Sequence, residues 1–235
     1  MELPAWLRVS DCYYHMWFRR LKLLDLLFPH FCYSCDEPAD DKQAICISCL
    51  DNLEDSQLGN WSDRVSTKGS LSNVWSAFWY EEALQSLIHR LKYSGRRKIG
   101  PSLAQAVYRA LDFEINWSEF GLIVPVPLHK RRKRKRGFNQ ASVIGEELSV
   151  LTGVPVNTEI LTRIVNTPSQ IGLDIEGRRT NVQGSFASRG PIDGGSILLV
   201  DDLLTTGATA AACASALIEA GAAEVSIITV ATPKN

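Results

Sequence analysis

Two adjacent carboxylates, Asp201 and Asp202, close an aliphatic run and stand just before a small, hydroxyl-rich turn, Thr205-Thr206-Gly207-Ala208-Thr209. The run, residues 197–200, is too short for a membrane, and an alanine-rich segment of helical character follows the turn. An apolar run, a turn and a helix in that order read as a buried parallel strand feeding a βα crossover. The turn then lies at the carboxyl end of a strand and the amino end of a helix. Open α/β sheets bind ligands at that place, and helix-start N–H groups attract phosphate there. Carboxylates accept hydrogen bonds from hydroxyls while amides donate to phosphate oxygens, so the two features together suit a sugar phosphate.

Other phosphate motifs fit less well. A Walker loop needs a Lys before the final Ser or Thr, and none is present. A dinucleotide fingerprint needs three glycines, whereas only Gly207 lies in the turn. The segment from 197 to 209, with a second strand at 225–230 beyond a stop at Gly221, resembles the PRPP-binding loop of the type I phosphoribosyltransferases. The resemblance implies that Asp201 and Asp202 hold the ribose 2′- and 3′-hydroxyls of phosphoribosyl diphosphate (PRPP). The backbone and hydroxyls of Thr205, Thr206, Gly207, Ala208 and Thr209 would hold its 5′-phosphate.

Four cysteines form a second cluster, Cys32-x2-Cys35-x10-Cys46-x2-Cys49. Two residues between thiolates let both sulfurs of a turn face one ion, and two such turns complete a tetrahedron. The polar segment between them is too short for a core of its own, so a metal would supply most of the local folding energy. Structural zinc is the expected metal. Iron in a rubredoxin-like site has the same spacing, and disulfides are the rival reading, disfavoured for a chain with no export signal. His30 is an unnecessary extra ligand, and Cys12 and Cys213 read as ordinary residues.

The third chemical segment, VPVPLHKRRKRKRGFNQ at 124–140, follows another buried strand. Its basic run at 130–136 holds seven of the 25 Lys and Arg side chains, so the remaining chain carries a net charge of −8. An acidic body with one concentrated basic segment points to a local anion site, with a solvated charge run or a nucleic-acid contact as alternatives. Like charges repel one another in an isolated helix, so the run is expected to be a mobile loop until an anion arrives. Lys130, Arg131, Arg132, Arg134, Arg136, Gly137 and Asn139 are its candidate pyrophosphate or nucleic-acid contacts. Arg136 can grip phosphate bidentately, Gly137 allows a tight turn, and Asn139 can cap the next helix.

The blocks occur in a fixed order. Two cysteine pairs come first, then Tyr80, the run Leu87-Ile88-His89-Arg90-Leu91-Lys92-Tyr93, and PVP with RGFNQ. Thr167-Pro168-Ser169-Gln170-Ile171-Gly172-Leu173 follows, then Arg178 to Phe186, and last the acid-pair loop. This arrangement resembles the ComF family, also called GntX-like, of competence and DNA-utilisation proteins, from about residue 28 to 232. The resemblance implies PRPP and Mg²⁺ as ligands, the acids holding Mg²⁺ largely through the ribose hydroxyls. It further implies single-stranded DNA and DNA-uptake or DNA-processing proteins, such as a competence helicase, as partners. If the chain is an enzyme, Asp201, Asp202 and Arg136 carry the displacement of pyrophosphate from C1, with Arg136 neutralising the leaving group. His89 is read as structural, and Gln170 and Asn181 as facing either the ligand or their own turns.

The positioning elements follow from periodicity. Residues 74–80 and 122–126 read as strands, 81–94 and 101–111 as helices, and 139–151 as a helix ending at Gly153. Residues 154–162 read as an extended piece and 51–72 as a loose connector. Alternating strands and helices without a hairpin signal give an α/β fold with a mostly parallel sheet flanked by helices. The expected divisions are an N-terminal helical extension (1–27), a double zinc ribbon-like module (28–60) and a phosphoribosyltransferase-like domain (61–235). No apolar window approaches the ~18–20 residues that span a bilayer, and a cytoplasmic protein is expected. Three roles stay open: a PRPP-binding accessory of DNA uptake, a phosphoribosyltransferase with an unidentified acceptor, and a PRPP-sensing regulator without turnover.

Overall fold

Strand β5 (Ser196–Leu203) is the aliphatic run that ends in the acid pair, and it lies inside a four-stranded parallel sheet. The computed structural model describes residues 30–39, 43–53, 55–56, 70–165 and 184–234. The sheet order is β1 (Val74–Trp79), β6 (Glu224–Thr232), β5, β2 (Phe120–Pro125), every neighbouring pair parallel. Side chains alternate across a strand, and here they divide the core in two. Leu198 and Val200 of β5 join Ile228 and Val230 of β6 on one face, while Ile197 and Leu199 join Val225 and Ile227 on the other.

The first face is covered by α2 (Glu82–Tyr93), α3 (Ile99–Leu111) and α5 (Gln140–Thr152). Helix α2 buries Leu84, Leu87, Ile88 and Leu91, the i, i+3, i+4, i+7 stripe legible in the sequence. The second face is covered by α6 (Ala208–Glu219). Its end is fixed by Gly221, whose φ of 113° suits glycine alone and whose missing Cβ would strike the Ile192 carbonyl. The mostly parallel sheet is as expected. The structure adds an unforeseen antiparallel pair, β3 (Leu161–Arg163) with β4 (Phe186–Ser188), packed beside α6. Its partners lie more than twenty residues apart, which a search for short hairpin turns does not detect.

Three further expectations are corrected. The basic run is helix α4 (Lys130–Arg136), not a loop. His129 accepts from the Arg131 N–H at its start, and Gly137, in the left-handed conformation, ends it by donating to Lys133 O. Asn139 stands at the N-cap of α5, yet its side chain donates to Val126 O at 2.9 Å instead of capping the helix. The stretch after the cysteines is not loose where it is described: Asp55 bridges to Phe78 of β1, and the buried Ser56 donates to Ser76 O. The expected extension at 1–27, the connector at 57–69, and Gln170 and Asn181 lie outside the described residues.

The cysteine segment, with its short helix α1 (Ile47–Asp51), shares the first core through Cys32, Ala44, Ile45, Leu50 and Leu53. It docks on and beside α3. The Ala44 N–H donates to Ser102 Oγ at 3.3 Å, Asp51 pairs with Arg109 at 3.7 Å, and Arg96, just before α3, sits over the Tyr33 ring.

Candidate functional site

The carboxyl ends of β5 and β2 open into a cleft of about 460 Å³. Asp201, Asp202, Thr205, Gly207 and Thr209 line one side, and Arg132, Arg136, Asn139 and Gln140 the other. Segments 60 to 80 residues apart in the chain therefore meet where an open sheet offers a crevice. Thr206 and Ala208 build the turn instead, the Ala208 N–H donating to Thr206 Oγ1 at 3.4 Å. Gly207, at φ 74°, starts α6 without a side-chain cap.

Strand alternation separates the two acids. Asp202 follows Leu198 and Val200 toward the α2 face, where it forms an ion pair with Lys92. Asp201 follows Ile197 and Leu199 toward the α6 face, and its carboxylate accepts from the Asp202 N–H at 2.8 Å. Burial, then the neighbouring Asp202 charge, holds the Asp201 carboxyl well above the usual carboxylate range against the pull of Lys92. For Lys92, burial disfavours the ammonium, but Asp202 and then Asp201 outweigh it and raise its pKa.

Helix α4 is two-sided. Arg132 and Arg136, four residues apart and so on one face, line the cleft; Lys130, Arg131, Lys133, Arg134 and Lys135 are exposed and away from it. Arg136 donates to Gln140 Oε1 at 2.9 Å and to Tyr93 Oη at 3.2 Å, and lies over the Tyr93 ring. Gly137 likewise lies outside the cleft lining.

Four side chains were missed by sequence reasoning. Lys92 and Tyr93 end α2, and Gln140 opens α5; the signal available was only their presence in the blocks LIHRLKY and RGFNQ. Arg163 belongs to the unforeseen ribbon and lines the cleft over the Phe186 ring, its pKa lowered by burial and by Arg132. His89, read as structural, is exposed at the cleft edge with its ring 4.7 Å from that of Tyr93. None of the described cysteine-segment residues lines the cleft.

The four predicted cysteines come together, their Sγ atoms all within 4.8 Å of one another. The Cys35 and Cys46 sulfurs are 3.8 Å apart, the edge of a tetrahedron with metal–sulfur bonds of about 2.3 Å. Ser34 and Cys46 N–H groups both donate to Cys32 Sγ at 3.3 Å. Burial opposes the Cys32 thiolate, but these and the Cys35 N–H bring its pKa down to about 7. Burial, with the neighbouring thiols, pushes Cys49 up to about 12. A cation is what lets four such sulfurs ionise together, so the cluster can hold a metal ion such as zinc. Asp36, right after Cys35, takes the left-handed conformation (φ 58°) that knuckle turns usually give to glycine.

No protein-family model matches the chain. Among curated proteins it is 30% identical over 199 residues to the DNA utilization protein YhgH of Salmonella typhi, covering 83% of this chain and 81% of that one. It is 32% identical over 154 residues to competence protein F of Haemophilus influenzae, covering 63% and 67%. Competence protein ComFC of Bacillus subtilis is 28% identical over 204 residues, covering 85% and 77%. A solved adenine phosphoribosyltransferase from Thermoanaerobacter pseudethanolicus, 16% identical, superposes over 60% of this chain and 83% of that one at a TM-score of 0.34, too low to carry weight. The sequence blocks that line the cleft and gather the cysteines, together with these relatives over most of their length, show that the chain belongs to the ComF family.

Proposed function

We propose that the protein binds PRPP in the cleft at the ends of β5 and β2, and does so in the service of DNA uptake or DNA utilisation. One observation carries this reading: the acid pair, the start of α6 and the inner face of α4 line a single cleft of about 460 Å³, the size of a small-molecule site. Asp201 and Asp202 accept from the ribose hydroxyls, and the turn at 205–209 takes the 5′-phosphate with its helix-start amides. Arg132 and Arg136 face the diphosphate, Arg136 already oriented by Gln140 and Tyr93. Mg²⁺ arriving with PRPP supplies charge neutralisation on the diphosphate. Asp202 is already ion-paired with Lys92, so the acid pair would not ligate that ion directly. The cysteine cluster holds zinc.

The role in DNA handling rests on the family and on the outer face of α4, five exposed cations with no ion pair among the described residues. Calorimetry with PRPP and Mg²⁺ tests the ligand: saturable binding is expected, abolished by Asp201→Asn with Asp202→Asn, and its absence in the wild type overturns the reading. Transfer of the ribosyl group to an acceptor is the second reading, favoured by the meeting of the acid pair and two arginines in one cleft. Acceptor-dependent pyrophosphate release that disappears in the double variant would establish it.

A further inference from the structure

Lys92, like Arg163, is a cleft cation to which the sequence motifs assign no role. It is the penultimate residue of α2, next to Leu91 on the edge of the buried stripe, so its stem runs along apolar surface and its ammonium reaches the strand end. Its side chain is 18% exposed and that of its partner Asp202 10%. Asp202 Oδ2 is buried and has no hydrogen bond beyond this ion contact. Asp201, on the opposite face, has instead the Asp202 N–H. The two acids are therefore held differently: Asp202 by direct contact with a fixed cation, Asp201 by a backbone N–H.

We propose that Lys92 is a positioning residue for the ligand's vicinal diol, an inference that rests on the PRPP reading above. By holding the Asp202 carboxylate in place, it does for that acid what a divalent cation would otherwise have to do. An ammonium has three N–H donors, so Lys92 keeps Asp202 and still has donors for the ligand. The sugar half of the site consequently works without Mg²⁺, and the metal requirement belongs to the diphosphate half.

Ribose 5-phosphate, 2-deoxyribose 5-phosphate, pyrophosphate and PRPP serve as probes in calorimetry, each with and without Mg²⁺. Wild-type protein is expected to bind ribose 5-phosphate equally with and without Mg²⁺ and to prefer it to the deoxy sugar about tenfold, the worth of one hydrogen bond to a charged group. Lys92→Met should erase that preference, weaken ribose 5-phosphate about tenfold or more, and leave pyrophosphate within about twofold. Lys92→Arg, which restores the charge, should recover part of the preference. Should Lys92→Met not fold, as judged by circular dichroism, Lys92→Gln, which keeps a polar end without the charge, replaces it and should likewise lose the preference. Unchanged diol discrimination in the folded variant, or equal losses for pyrophosphate and ribose 5-phosphate, overturns the role of Lys92 while leaving PRPP binding standing. Wild-type protein that binds neither PRPP nor ribose 5-phosphate overturns the PRPP reading itself, and this inference with it.

Discussion

Substituting Gln for Lys130, Arg131, Lys133, Arg134 and Lys135 removes the outward charge of α4 and leaves Arg132 and Arg136 in the cleft. Each phosphate contact on a single strand contributes about −0.7 to the slope of log K against log salt. If all five exposed cations touch a strand, their loss flattens the slope by about 3.5, equivalent to about a hundredfold less change in affinity between about 50 and 200 mM salt. The reverse substitution, Arg132→Gln with Arg136→Gln, should abolish PRPP binding and alter the DNA slope by less than about one contact's worth. Unfolding does not confuse the comparison, because the i,i+3 and i,i+4 pairs within α4 are all of like charge. Each such pair costs about 0.2–0.5 kcal/mol, so neutralising the outer face should raise stability slightly. Fluorescence anisotropy of a labelled oligothymidylate across a salt series provides the assay, with Tm measured alongside. An outer-face variant that keeps the wild-type slope, or an inner-pair variant that flattens it as much, would refute the division of this helix.

Other tests follow from single features. Asp201 has a raised carboxyl pKa in the folded state, so its contribution to stability falls as pH rises from the unfolded value through the folded one. Asp201→Asn should therefore raise Tm near neutral pH, with the gain vanishing below the usual carboxylate pKa, even as it removes PRPP binding. Gly221→Ala is expected to cost about 2–4 kcal/mol through its positive φ and collision with Ile192 O, read by urea unfolding. Protein purified without added metal should contain about one zinc per chain. Cys32→Ser should lower that stoichiometry and expose the apolar contacts of Ile45 and Leu50.

The sheet and its site loop were legible because both rest on local pattern. The β5 run and the α2 stripe declare themselves by periods of two and 3.6, and CxxC spacing encodes its own geometry. What failed depends on particular contacts, near and far in sequence, that periodicity does not encode. Charge repulsion argued against α4, but His129, Gly137 and the anchoring of Arg136 on Tyr93 and Gln140 outweigh it. Composition cannot show that Asn139 prefers the Val126 carbonyl to its own helix. Nor does an amphipathic helix reveal which residue at its edge, Lys92, meets an acid 110 positions later.

The cysteine cluster and the cleft, though separate, are joined by two packed helices, α3 and α5. The cluster docks on α3 through Ala44 and Ser102, and through Asp51 and Arg109. Helix α3 in turn touches α5 closely enough that a Cβ at Gly100 would lie 2.6 Å from Val143, with Gln105 donating to Glu147 at 2.8 Å. Arg97, just before α3, adds an ion pair to Glu146 at 3.2 Å. Helix α5 begins with Gln140, which orients Arg136. Loss of the metal should loosen the cluster, release α3, and let α5 shift beneath the anion side of the cleft. Couplings through packed elements are typically about 5- to 150-fold in affinity, so chelation should weaken PRPP at least about fivefold. The sheet, anchored by the second core on α6, should remain folded by circular dichroism. Linkage makes the effect reciprocal: saturating PRPP must strengthen zinc binding by the same factor. Equal PRPP affinity before and after chelation would show that α3 holds the two sites side by side without coupling them.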